Sequence, residues 1–325
     1  MRCSVFLKLA SLFALLFFAL VAVGLLVYKR WPERFFYDPI ITDIFYYREN
    51  TILESLDRPY MDLSLYYGIG PAIENARKAD VLILGNSTSQ GAFNHDEVQK
   101  VEGQSGISIF NLSTAGASCL YDLEVMQKNH LKPKVVLLNS YGCLFTKLNR
   151  PQEETVNSTR WQALMTVEER WGALVLRHYF QDIFPKPLMF NKEAGKFLYY
   201  LFSANDGCLE QISMESHGEL RPLDRPDFPA TNEEVEVAKE VKRRLEAQGI
   251  GLILIYVPSN SRPQNVRDLA RILKVPCITA CPERTDTMDG KHLFWKENAE
   301  YTRQFFEALL KMPQFQSMMA APKGR

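Results

Sequence analysis

The chain carries no excess of charge of either sign. Lys and Arg number 38 and so do Asp and Glu, which leaves no global field to draw it to nucleic acid or to an anionic membrane surface. It also lacks a CxxC pair: Cys3, Cys119, Cys143, Cys208, Cys277 and Cys281 are scattered, which excludes the spacing of a structural zinc site or a dithiol redox motif. They read as buried thiols or as one or two disulfides of open connectivity, with Cys277 and Cys281 the nearest in sequence. His95, His130, His178 and His217 have no ligand-spaced partners, which argues against a zinc hydrolase, and no cofactor is expected. After the amino-terminal stretch there is no second long apolar run, so everything beyond residue 30 is expected in water on one side of a membrane.

What is there is a chain of 325 residues, 46% hydrophobic, able to bury a sizeable core. After a short tail over residues 1–8, residues 9–28 read LASLFALLFFALVAVGLLVY, an uncharged run that matches the hydrocarbon thickness of a bilayer. A retained transmembrane anchor is expected rather than a cleaved signal peptide, because the run exceeds a usual signal core and no A-x-A site ends it. Arg2 and Lys8 on one flank face Lys29, Arg30 and Arg34 on the other, so charge counting does not orient it.

Residues 29–72 are rich in Phe, Tyr and Trp, a composition suited to the membrane interface or to packing a domain against its anchor. Gly68-Ile69-Gly70-Pro71 then punctuates the chain, and a domain is expected over residues 73–315. Its apolar runs ADVLIL (79–84), ISIFN, KVVLLN and GLILIYV suit strands buried on both faces of a parallel sheet. A last short strand is expected over 276–279. Helical patterns lie between the strands, as in EEVEVAKEVKRRLEA, and a closing helix is expected over 296–311. The alternation implies an α/β fold whose ligand site lies beyond the carboxyl ends of the strands. Residues 146–231 break the rhythm and read as a helical insertion, including VEERWGALVLRHYFQDIF and NKEAGKFLYYLF. Residues 316–325 read as a flexible tail.

Three segments offer chemistry. Gly85-Asn86-Ser87-Thr88 follows the first strand, where a serine meets a helix N-terminus and its backbone N–H groups. An ordinary Ser/Thr helix cap is the bland alternative. Phe110-Asn111 leads to Gly116, a residue whose N–H approaches a ligand without Cβ interference. Near the end, Asp289-Gly290-Lys291-His292 places a carboxylate three residues before an imidazole, the spacing that orients a general base. Asp286 competes with Asp289 for that role from six residues away.

Together LILGNSTSQG, FNLSTAGAS and DGKHL, in this order, resemble the blocks of the SGNH (GDSL-like) hydrolase superfamily. The resemblance implies a flavodoxin-like three-layer sandwich with a parallel sheet. It further implies Ser87 as nucleophile, His292 as general base, Asp289 as its orienting carboxylate, and the N–H groups of Ser87 and Gly116 as oxyanion donors. Asn86 stands where the family usually has Asp. The family's Gly-x-Asn-Asp block is replaced by Asn139-Ser140-Tyr141-Gly142, in which Asn139 is the candidate for a third oxyanion donor. With an anchor, such a domain is similar to bacterial proteins that modify surface polysaccharides by O-acylation, often beside a membrane-bound O-acyltransferase. That similarity implies an extracytoplasmic domain acting on an acylated carbohydrate as esterase or acyltransferase. The other reading is a non-catalytic scaffold or glycan-binding partner that keeps the fold.

Overall fold

The apolar runs become a parallel sheet because their side chains are buried on both faces. In a computed structural model the strands are β2 (Val81–Leu84), β3 (Ile109–Asn111), β4 (Val135–Asn139), β8 (Gly251–Ile255) and β9 (Cys277–Ile278). The structure describes residues 13–19, 44–47, 65–69, 71–114, 118–148, 150–165, 199–203, 205–212, 221–222, 230–259, 262–280, 286–287, 293 and 297–321. The sheet order is β3-β2-β4-β8-β9 and every pairing is parallel. Counted along the chain this is 2-1-3-4-5, a doubly wound order in which connections reverse direction between β2 and β4, opening a crevice at their carboxyl ends.

Side-chain alternation splits each strand between two cores. On one face Leu82, Leu84, Val136, Leu138, Leu252 and Leu254 share a buried cluster with Ile73 of α1 (Pro71–Lys78), Leu123 of α4 (Cys119–Lys128), Val241 of α6 (Asn232–Glu246) and Leu269 of α7 (Pro263–Leu273). On the other, Val81, Ile83, Val135, Leu137, Ile253 and Ile255 join Val98 of α3 (His95–Ser105), Phe305 of α8 (Asn298–Leu310) and Phe315 of α9 (Pro313–Ala320). Helix α6 starts cleanly because Thr231 and Glu234 form a reciprocal capping box. The α/β expectation therefore holds, with helices on both faces of the sheet.

The insertion differs from its expected helical character. Helix α5 (Arg150–Asn157) lies in it, but so do β5 (Tyr199–Phe202), β6 (Leu209–Ile212) and β7 (Arg221–Pro222). Strand β5 pairs antiparallel with β6 and with β1 (Ile44–Tyr47), making a second sheet of order β1-β5-β6. The aromatic run YYLF, read from sequence as helix, is strand because aromatic residues fit a pleated surface when a partner strand is available. The pattern VEERWGALVLRHYFQDIF lies outside the described residues.

Two boundaries also move. The chain divides into units Met1–Thr42 and Asp43–Arg325, so the aromatic segment does not stand apart as far as residue 72. Leu65, Tyr66, Tyr67 and Ile69 are buried in the sheet's core, with Tyr66 stacked 5.7 Å from Tyr121 and the Tyr67 hydroxyl donating to Thr155 O at 2.9 Å. The tail expected to be flexible from residue 316 is helical to Ala320, because Phe315 is buried and Met318 packs where Gly251 has no side chain. Within the first unit, residues 13–19 are helical and exposed. No helix among the described residues is long and apolar enough to cross a membrane, and most of the expected span 9–28 lies outside them.

Candidate active site

The turn after β2 is built around a glycine. Gly85 has φ +152°, and a Cβ there would meet Ser89 Oγ at clash distance and Asn139 Cβ at 3.0 Å, so only glycine lets the strand turn this close to β4. Its N–H donates to Asp122 Oδ2 at 3.1 Å. Asn86 follows in extended conformation and caps the single turn α2 (Ser87–Gln90), its Oδ1 accepting from Thr88 N at 3.0 Å and from Thr88 Oγ1 at 2.6 Å. Its Nδ2 donates across the crevice to Tyr141 O at 2.9 Å and Gly142 O at 3.0 Å.

Ser87 therefore occupies the first helical position and is not the cap. From Val81 to Gln90 every residue except Ser87 is buried. A turn that buries its neighbours on both sides while leaving one serine half-exposed, at the carboxyl edge where β2 and β4 part, is the arrangement a nucleophile needs. The bland cap reading assigns the capping bond to the wrong residue, since Asn86 makes it.

Beneath Ser87 lies a frame of buried amides and one acid. Asn139, at the end of β4, donates from Nδ2 to Thr88 Oγ1 at 2.9 Å and more distantly to Ser89 Oγ at 3.5 Å, while its Oδ1 accepts from Tyr141 N at 3.4 Å. Its side chain is fully buried and engaged under α2, so the geometry makes it a support for the Ser87 turn. Asn111, at the end of β3, donates to Ser89 O at 3.1 Å and accepts from Ser113 N at 3.1 Å. Asp122 holds Gly85 N–H with one carboxylate oxygen and the Thr114 hydroxyl with the other, at 3.0 Å, and Thr114 N closes back on Gly85 O at 3.0 Å. The loop leading to Gly116 is thereby pinned to the serine turn. Gly116 itself lies outside the described residues.

Asp289 and His292 also lie outside the described residues. Their described neighbours are placed: Asp286 and Thr287 form β10, which pairs antiparallel with β7, and Leu293 is buried in the cluster that holds Ile255, Val257 and Ile278. Asp286, the competitor for the triad carboxylate, is thus a strand residue opposite Pro222.

Two features escaped sequence reading. Asp122 falls on the same helical stripe as Cys119 and Met126, and an acid on an apolar stripe is a legible signal of a structural or catalytic carboxylate. His95 finds a partner only through tertiary contact: its Nδ1 lies 2.6 Å from Asp206 Oδ2, and Asp206 is buried beside the end of β3, its carbonyl accepting from Asn111 N at 2.6 Å. Gly207 permits that approach, since a Cβ there would run into Asn111 O. Nearby Glu102 is raised above the usual carboxylate range by burial, partly offset by the Ile109 N–H that it accepts at 2.6 Å. No group of three or more metal-ligating side chains occurs among the described residues.

Comparison of the chain with protein-family models, with curated proteins and with solved structures finds no match.

Proposed function

We propose that the chain is a serine-dependent O-acyl esterase or acyltransferase of SGNH type, held to a membrane by residues 9–28. The observation that carries this reading is the presentation of Ser87: half-exposed in an otherwise buried turn, directly after the first strand, at the point where the sheet's connections reverse. The ordered motifs around Asn86, Asn111 and Asp289-Gly-Lys-His292 support it.

In this reading His292 removes the Ser87 proton as Oγ attacks an ester carbonyl, and Asp289 orients the imidazole. The tetrahedral oxyanion accepts from the N–H groups of Ser87 and Gly116. The alcohol leaves with the proton from His292, and the acyl group stays on Ser87. Water or a sugar hydroxyl then gives its proton to His292 and takes the acyl group, which regenerates the serine. Removing one oxyanion donor from such a site costs roughly a hundredfold or more in rate. The substrate class is an acylated carbohydrate or cell-surface polymer on the extracytoplasmic side, with a membrane-bound O-acyltransferase as a partner.

One observation favours the scaffold reading: the Asn139 amide is engaged by Thr88 and Ser89, so the β4 loop does not offer that side chain to an oxyanion. The two readings separate in an assay of acetyl release from p-nitrophenyl acetate and from an O-acetylated oligosaccharide. The enzyme reading expects turnover by the detergent-solubilised chain and its loss in Ser87→Ala and His292→Ala. Equal rates in all three proteins would leave the scaffold reading standing.

A further inference from the structure

We infer that Cys119 and Cys143 are a disulfide-forming pair, a covalent clasp between the two loops that flank the Ser87 turn. The pair is invisible as a motif because one thiol opens α4 and the other lies in the loop after β4. In the fold the Cys119 N–H donates to Cys143 O at 2.8 Å, and the preceding Ser118 hydroxyl donates to Phe145 O at 2.7 Å. The backbone bond sets the two residues side by side, and a disulfide needs neighbours of that kind, with Cα atoms roughly 4.4–6.8 Å apart. Both side chains are fully buried.

The surroundings say what kind of pair this is. Contact with Cys119 in the first place, and burial in the second, push the Cys143 thiol well above its ordinary range. Its Sγ also donates to Asn139 O at 2.9 Å. A thiol held protonated and shielded from solvent is a poor participant in rapid exchange, which distinguishes a structural bridge from a cycling redox centre. Position gives the bridge its consequence. Cys119 follows the segment that carries Gly116, and Cys143 adjoins Gly142, whose carbonyl holds Asn86. Bridging the two ties the start of α4 to the loop after β4 that holds Asn86.

The reaction balances with a low-molecular-weight disulfide as oxidant. One thiolate attacks oxidised glutathione and expels a glutathione thiolate; the second then attacks the mixed disulfide, forming the Cys119–Cys143 bond and expelling another. Two S–H bonds are lost from the protein and two reduced glutathiones take up the protons. The bond closes a loop of about two dozen residues, for which a rise in Tm on the order of 5 °C is expected. The bridge does not depend on ester chemistry at Ser87, and its test does not read that chemistry.

The test uses the full chain in detergent, denatured and returned to native conditions in a buffer of oxidised and reduced glutathione, then alkylated and digested. The expected result is one peptide pair joined through Cys119 and Cys143, separated by reductant, absent from Cys119→Ser and from Cys143→Ser and retained in Cys277→Ser. The bridged protein should melt higher than the reduced protein. Alkylation of both cysteines as free thiols in protein that has regained its native circular dichroism would overturn the inference, as would bridges that join either one to another cysteine. A melting point unmoved by the bridge would overturn its role as a clasp.

Discussion

Asn86 and Gly142 face each other across the crevice between β2 and β4, the amide of the first donating to the carbonyl of the second at 3.0 Å. The same amide donates to Tyr141 O, while its oxygen caps the Ser87 turn. One side chain thus sets the height of the serine turn against the neighbouring loop. This explains why an amide, with a donor end and an acceptor end, stands where the resembling family has a carboxylate.

Asn86→Asp should therefore be harmful although Asp is usual at that place in the family whose blocks the sequence resembles. A carboxylate offers only acceptors to two carbonyl oxygens, and leaving buried groups unpaired costs about 1–3 kcal/mol. Thermal unfolding at pH 7 should show that loss. The new carboxyl, facing carbonyls, should have a raised pKa, so the defect should shrink as pH falls towards 4 and the acid regains a proton to donate. A variant as stable as wild type at pH 7 would remove the amide from this account.

Asn139 acts through Thr88 if the observed hydrogen bond is its main contribution. Thr88→Val and Asn139→Ala should then be coupled by about 0.5–3 kcal/mol in a double-mutant cycle on urea unfolding, with the pair less damaging than the sum. Additive losses would mean that the amide supports something other than the Ser87 turn.

Asp122 is the acid that ties the Gly85 and Thr114 loops together. Asp122→Asn can keep an acceptor on Gly85 N–H and offer its amide N–H to the Thr114 oxygen, but it removes the charge from both bonds, and a loss of about 1–2 kcal/mol is expected in thermal or urea unfolding. Asp122→Ala should cost at least as much, since both donors lose their partner.

Glu102 supplies the pH dependence. Burial raises its pKa in the folded chain, so the folded state binds its proton more tightly than the unfolded state does. That contribution is fully present below the ordinary carboxylate pKa and is lost as pH rises through the raised value. Glu102→Gln keeps an acceptor for Ile109 N–H and cannot ionise. Its Tm relative to wild type should climb as pH rises from 4 to 7. A difference that stays flat over that range would contradict the assigned direction.

The parallel sheet was legible because β2, β3, β4 and β8 are short apolar runs, the first three closed by Gly85, Asn111 and Asn139, and their burial on both faces writes itself into composition. The position of Ser87 was legible for the same reason, since the end of an apolar run marks where the strand must turn. The second sheet was not. Strands β1 and β5 are aromatic tetrads that read equally well as interface or helix until each is given the other as a partner. The His95–Asp206 pair and the Cys119–Cys143 contact depend on chain segments brought together only by folding, and no local spacing announces them, whereas Asp122 shows in the sequence as an acid on an apolar helical stripe.

The central claim is that Ser87 is a nucleophile. Its most direct test is reaction of the solubilised full chain with a fluorophosphonate, followed by peptide mapping of the adduct. The account predicts one adduct, on the Ser87 hydroxyl, absent from Ser87→Ala and formed far more slowly in His292→Ala. No adduct on the folded wild-type protein, or an adduct on a different serine, would contradict it.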